Sequence, residues 1–372
     1  MKRYALIIPL IFLTSCGTDN NNTNYENAQS MQLEYAQQFT VESDGDISHV
    51  KIGNGDEFII LPEDADIPDE YKNMKIIRKP VENIYLASSS VMDLFSGIDC
   101  LDLVKFTSTK ESDWSAEYVK KALENGDILY AGKYRTPDFE LLLSENCGLA
   151  IENTMIYHTP EIKEQLENLG IPVIVEYSSY EPHPLGRMEW IKLYGLLTGH
   201  ENEAEKLFSE KARQVENLKI DDINPDEKKS VAFFYITSSG YASVRKPNDY
   251  VSKMIELAGG RYIFTADDLN VDENALSTMN MQIESFYEKA KDADIIIYNS
   301  TIDGEIENIS QLTEKCSILS DFRAVRNNNA WCSEKDMFQQ TGASADIIIE
   351  MNKIITDSAE DDMEFIHRIK SE

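Results

Sequence analysis

Between Ile84 and Val175 short apolar runs alternate with stretches of helical periodicity, and that alternation constrains the fold more than any other feature of this 372-residue chain. Strand-like runs at 84–87, 104–107, 128–130, 149–152 and 173–175 are separated by helical patterns at 88–95, 115–125, 136–145 and 159–169. Strands spaced this way pair in parallel, because a parallel neighbour needs a crossover long enough for a helix. A second set follows: a strand at 231–236, helices at 249–258 and 283–290, a strand at 295–298, a helix near Gln311, a strand at 330–332 and a helix at 344–356. Residues 189–218 lie between the sets and are helical in pattern, interrupted only near Gly199 and His200. The expected architecture is α/β: two βα lobes with mainly parallel sheets, 31–198 and 221–372, joined by one long interdomain helix, 199–220. Leu33 to Pro80 departs from the rhythm. Short strands at 39–41, 49–52 and 57–60, with a hairpin turn at Gly53-Asn54-Gly55-Asp56, make residues 33–80 a β-rich extension.

The amino terminus carries an export signal. Lys2 and Arg3 precede an uncharged apolar run and then Leu13-Thr14-Ser15-Cys16, the pattern of a lipoprotein signal peptide over residues 1–15. The run is too short to cross ~30 Å of hydrocarbon as a helix. Cleavage before Cys16 and lipidation of its sulfur would leave an exported domain held on the outer face of the bacterial cytoplasmic membrane, on the periplasmic side or at the cell surface. The Asn-rich stretch 16–30 then reads as a lipid-anchored, disordered tether.

Charge narrows the partners. With 35 Lys+Arg against 66 Asp+Glu the net charge is −31, which repels phosphate backbones and excludes nucleic acid. It repels anionic headgroups too, in accord with attachment by acyl chains rather than by a basic patch. Beyond Cys16 there are Cys100, Cys147, Cys316 and Cys332. Export permits disulfides, Cys100 with Cys147 at the amino edge of the first sheet and Cys316 with Cys332. Free thiols are equally compatible. No C-x-x-C occurs, so neither a redox pair nor a thiolate zinc site is indicated.

No G-x-S-x-G, H-E-x-x-H, Walker loop or strand-following G-x-G-x-x-G is present, so the chain reads as a binder, not an enzyme, without a resident cofactor. Ligands of open α/β sheets bind at the carboxyl ends of the strands. Candidates there are Tyr157, His158, His183 and Arg187 in the first lobe, and Tyr241, Arg245, Lys246 and Gln339 in the second. Aromatic and basic residues lining a cleft in so acidic a chain suit an aromatic or anionic ligand. Arg187 and Arg245 suit structural ion pairs with local carboxylates equally well.

An ordered set of fragments carries a resemblance. It comprises Thr136-Pro137-Asp138-Phe139-Glu140-Leu141-Leu142 before Gly148-Leu149-Ala150-Ile151, and Trp190 through Gly199 before Ala204-Glu205. Further on come Asp249-Tyr250 through Gly259-Gly260, Met281-Gln282-Ile283-Glu284 before Asp294-Ile295-Ile296-Ile297, and Ala324-Val325-Arg326 before Ala330-Trp331. Behind a lipobox, this set resembles the substrate-binding lipoproteins of ABC transporters for iron–siderophore, haem and cobalamin. The resemblance implies a monomer that captures an iron chelate of siderophore type between its lobes and delivers it to a permease dimer and its ATPase. Cobalamin or another corrinoid, and haem with Tyr157, His158 or His183 as axial ligand, are alternatives. A sensory or adhesive lipoprotein on the same fold is another. The resemblance also assigns Glu140 and Glu284, one on each lobe, to docking on the permease. Acidic residues in a helix's first turn also complement its dipole without any partner.

Overall fold

The computed structural model describes residues 29–218, 220, 224, 227–272, 277–361 and 363–371. The signal peptide, Cys16 and most of the tether lie outside the described residues.

Three sheets of five or more strands organise the chain. The first uses the extension: strands Gln29–Ser30, Phe39–Asp44, Ile47–Ile52, Glu57–Pro62 and Lys75–Lys79 lie side by side in chain order. The second joins Val173–Glu176, Leu149–Asn153, Ile84–Leu86, Val104–Thr107 and Leu129–Tyr130 in that order, every pair parallel. The third runs Thr278–Met281, Ala242–Arg245, Ser230–Ile236, Ile295–Tyr298, Ala330–Ser333 and Ile366–Arg368, with Arg261–Tyr262 also pairing to Ser230–Ile236. Its parallel centre is flanked by antiparallel strands, at Ala242–Arg245 and Thr278–Met281 on one side and at Ile366–Arg368 on the other. The parallel strands are mostly apolar because both faces are covered, with the carboxyl groups of Glu152 and Glu176 buried among them.

One local expectation changes. Residues 136–137 do not open a helix; Thr136 and Pro137 pair antiparallel with Lys133 and Gly132. The helix begins at Phe139, after Asp138 caps it by accepting from the Leu141 amide at 3.0 Å.

The lobes are connected by helices Pro184–Glu189, Ile191–Thr198 and Glu201–Glu216. The chain reverses at Gly199, whose φ of 78° ends one helix before the next begins. Gly195 lets the two helices approach, since a Cβ there would stand 2.7 Å from the Ala204 Cβ. A single apolar core runs from Phe39 of the extension through Trp190 and Phe208 of the connection to Phe234 and Ile369 of the second lobe. A smaller core covers the opposite face of the first-lobe sheet, including Tyr85, Phe106 and Val175.

Of the two cysteine states left open by the sequence, the structure has the thiols: Cys100, Cys147, Cys316 and Cys332 are all free. Cys100 is buried in the large core, whereas Cys147 packs against the smaller one, so the sheet itself separates them. In the second lobe the Cys332 sulfur accepts from the Ile306 amide at 3.4 Å. Burial pushes the Cys100 thiol up to about 11 and the Cys147 thiol up to about 12.

The final strand is clamped by a buried imidazolium. His367 Nδ1 lies 2.5 Å from Glu334 Oε1 and Nε2 lies 3.0 Å from the Ile306 carbonyl. Both ring nitrogens face acceptors, so the ring needs both protons. Cys332 beside the ring and the Glu334 carboxylate raise its pKa to about 11 against the opposing effect of burial. Because this pKa is raised in the fold, the clamp is fully present below the ordinary histidine value. It is lost as pH climbs from about 6.5 toward the folded value. Urea denaturation is expected to show His367→Gln losing about 1–3 kcal/mol near neutrality, with the difference from wild type narrowing at alkaline pH. An unchanging difference across that range would refute the clamp.

Candidate functional site

Arg187 is placed by the hinge segment. Two buried carboxylates on either side of it, Glu181 and Glu189, hold five consecutive backbone amides of the extension. Glu189 accepts from the amides of Glu34, Tyr35 and Ala36 at 2.8–2.9 Å, and Glu181 from those of Gln37 and Gln38 at 2.8 and 2.9 Å. Lys192 closes the arrangement, 3.1 Å from Glu189 and donating to the Gln32 carbonyl at 3.0 Å, and Trp190 Nε1 donates to Glu181. Gly186 is required beneath this strap, because a Cβ would come within 2.9 Å of the Tyr35 carbonyl oxygen. The strap fixes helix Pro184–Glu189, with Arg187 directed to the second lobe.

There the guanidinium lies over the Tyr250 ring, 4.0 Å from its centroid. Arg245 approaches the same ring at 5.7 Å and stacks on Phe338 at 4.5 Å. Both arginines are only 9% exposed. They differ in their partners. Arg245 has Asp249 at 3.5 Å. Arg187 has no ion pair within 4 Å and no protein acceptor for its side-chain N–H groups among the described residues. Buried Glu176 interacts with Arg187 only at longer range: burial raises the Glu176 carboxyl, Ser178 and Arg187 oppose that, and its oxygens accept from the Ser178 amide at 2.7 Å and the Ser88 hydroxyl at 3.3 Å.

These groups line a cavity of about 320 Å³ between the lobes, with Thr154, Ser179, Tyr180, Glu181 and Arg187 on one side and Arg245, Asp249, Tyr250 and Ser277 on the other. Beside it Tyr180 stacks on Tyr177, ring centroids 4.5 Å apart and 15° from parallel, making one rim aromatic. A larger cavity, about 420 Å³, opens at the amino ends of the first-lobe strands. It touches that lobe and the extension only, and its Arg78 donates to the Pro62 and Ala65 carbonyls. The interlobe cavity therefore fits the chemistry better: it joins both lobes and presents unengaged donors.

Across the cleft the lobes are in contact. Gln339 accepts from the Ser115 amide and donates to the Asp113 carbonyl, both at 2.9 Å, and the Thr341 amide donates to the Ser90 carbonyl at 3.0 Å. The Gly342 amide donates to Asp93 at 2.7 Å, and burial pushes that carboxyl up to about 7.

Of the residues expected to bind ligand, the cavity gathers Arg187 and Arg245. Arg245 is the last residue of an antiparallel strand, not part of a loop at a carboxyl edge, and the hydroxyl of Tyr262 fixes its backbone by donating to its carbonyl and accepting from its amide. His183 does not line this cavity: it stacks on Tyr35 at 4.5 Å, and its Nδ1 accepts from the Leu185 amide to cap a helix. Gln339 is engaged in the lobe contact. Tyr157 and His158 are exposed on the turn after Leu149–Asn153, Tyr157 at 43%. Tyr241 is exposed near Gln282, whose amide approaches its hydroxyl at 3.4 Å, and Lys246 is half-buried beside Arg245. Glu140 and Glu284 are exposed in the first turns of helices Phe139–Ser144 and Ile283–Ala290. Tyr250, Phe338 and the Tyr177–Tyr180 pair do not stand out as binding residues in the sequence. Tyr250 was detectable as the first residue after the helix cap Asp249. No cluster of three or more His, Cys, Asp or Glu suited to a bare metal occurs among the described residues.

Comparison with known proteins agrees with the two-lobed fold. A protein of Methanocaldococcus jannaschii named an uncharacterized lipoprotein is 27% identical over 300 residues, 77% of this chain and 68% of the relative. A periplasmic binding protein from Veillonella parvula superposes with a TM-score of 0.62 at 14% identity, covering 87% of this chain and 99% of that one. The periplasmic haem-binding protein HutB of Vibrio cholerae gives 0.58 at 18% identity, covering 74% and 98%. The family pattern described as periplasmic binding protein matches residues 84–331, both lobes and the connection between them. The chain belongs to the periplasmic binding protein family, the solute-binding type that serves ABC importers.

Proposed function

We propose that this protein captures an anionic iron chelate of siderophore type between its lobes, outside the cytoplasm, and hands it to an ABC importer. Arg187 carries the proposal. It is a nearly buried guanidinium held flat on Tyr250, with its N–H donors unengaged and Arg245 facing it from the other lobe. Such a pair suits the carboxylate or other anionic groups of a chelate, with Tyr177 and Tyr180 supplying an apolar face. The chain acts as a monomer without a resident cofactor; the metal arrives inside its ligand. Lipidated Cys16 holds it at the membrane, and Glu140 and Glu284 meet basic sites on the permease dimer. Haem is the second reading, favoured by the exposed phenol of Tyr157 beside the tyrosine pair.

The test is the soluble form beginning at Gly17, recovered from its native host and analysed for iron, cobalt, bound mass and absorption. Stoichiometric iron with a charge-transfer band is expected. A Soret band moves the assignment to haem, and stoichiometric cobalt with a corrin spectrum moves it to corrinoid. An empty protein that binds none of these on titration removes the uptake function and leaves a sensory or adhesive role.

A further inference from the structure

We propose that the hairpin turn of the N-terminal sheet forms an additional wall of the ligand cleft, in which Asn54 is the residue that positions Tyr157 and thereby sets which chelate the cleft accepts. This rests on the interlobe cavity being the ligand site. The turn belongs to a sheet that ends at Lys79, ahead of the family-matched residues 84–331. It nonetheless reaches the first lobe at Tyr157, three residues after Thr154, which lines that cavity.

Asp56 fastens the turn to the lobe. Its carboxylate takes Lys163 of helix Pro160–Asn168 at 2.6 Å and Lys75 at 3.2 Å, and Lys75 continues to Glu167 at 2.8 Å. Asp56 and Lys163 side chains are 18% and 17% exposed, so this is a partly desolvated network rather than a surface pair. Asn54 is oriented within it. Its Oδ1 accepts from the Asp56 amide at 2.9 Å, so the other terminal atom is the donor nitrogen, and that nitrogen points at the Tyr157 hydroxyl oxygen, 2.6 Å away.

Two consequences follow for Tyr157. Its oxygen is held at one place on the turn that begins at Thr154, which lines the cavity. An N–H donated to a phenol oxygen also favours the ionised form and leaves the phenol's own proton free to be given up. Partial burial and the neighbouring Tyr177, Asp56 and Tyr180 raise the phenol's pKa, and Asn54 opposes them. Held this way the phenol keeps its proton at neutral pH, with its O–H free to be donated to a strong acceptor on the ligand or given up to a hard, high-charge metal centre.

The bond contributes little to the fold, because Tyr157 is exposed and Asp56 already fastens the turn. Asn54→Ser therefore keeps a side-chain acceptor for the Asp56 amide while falling short of the phenol. With tyrosine carrying 13C at Cζ, NMR titration of the ligand-free protein is expected to move the Tyr157 phenol to higher pH in Asn54→Ser; Tyr157→Phe assigns its resonance. Binding is then measured with a ferric tris-hydroxamate, a ferric tris-catecholate and haem. For the probe that wild type prefers, Asn54→Ser and Tyr157→Phe are each expected to lose roughly tenfold in affinity, and the double variant no more than either alone. A phenol that titrates as in wild type, or a wild type that binds while Asn54→Ser binds equally well with the same preference, overturns the proposal alone. Probes that bind neither wild type nor variants overturn it together with the uptake function.

Discussion

Replacing Glu189 by alanine is expected to destabilise the protein by about 3–5 kcal/mol, the largest effect of any single side chain outside the apolar core. The carboxylate is fully buried and takes three backbone amides and an ammonium at once. Truncation leaves the three amides without their partner in a partly buried place, and such donors are costly to strand. Lys192, itself 4% exposed, would retain a charge paired only to the more exposed Glu205 at 3.1 Å. Glu189→Gln keeps the shape and one acceptor oxygen, so it is expected to lose less than the alanine variant. Urea denaturation followed by tryptophan fluorescence reads the strap directly, because Trp190 lies beside it. A loss below 1 kcal/mol for Glu189→Ala would mean that the strap is held by its apolar contacts and that the carboxylates are incidental.

Arg187→Met is expected to weaken binding of the preferred anionic chelate about a hundredfold while changing stability by less than about 1 kcal/mol. Methionine keeps most of the stem's packing on Tyr250; it removes the charge over that ring and near Glu176, and donors that no protein acceptor engages. Arg245→Met is expected to lose comparable affinity and measurable stability together, because Asp249, nearly buried, then loses its partner. The contrast between the two variants is what assigns the cleft. If Arg187→Met bound as wild type did, the chelate would contact some other surface. If it unfolded, the guanidinium would be a structural group and the interlobe cavity would lose its chief recommendation.

Much of the fold was legible because parallel strands buried on both faces are written as apolar runs: Ile295–Tyr298 stands out with no knowledge of its neighbours, and Leu149–Asn153 does so through Leu149-Ala150-Ile151. The antiparallel strands Ala242–Arg245, Thr278–Met281 and Ile366–Arg368 were not, since they are short, mixed in polarity and made strands by the sheet they join. Arg187 and Arg245 could be picked out by placing charge where strands end, although Arg245 reaches the cleft by another route. The strap could not. It depends on main-chain amides at 34–38 meeting carboxylates about 150 positions later, and amides leave no mark in a sequence. His183 was misleading for a related reason: a histidine in a loop before Pro184 can be a ligand or a helix cap, and only the distance to the Leu185 amide distinguishes them. Thr136-Pro137 failed similarly, its proline sitting in a two-strand pair just ahead of the helix it was expected to open.

The continuity of the large core has a calorimetric consequence. Lobes held together by a polar linker alone would melt as separate units, each with its own heat-absorption peak. Here Phe39, Trp190, Phe208, Phe234 and Ile369 belong to one apolar body, so neither lobe can lose its packing without exposing the other's. One endotherm should describe the whole molecule, and a ligand in the cleft should shift all of it upward, carrying the N-terminal sheet with it.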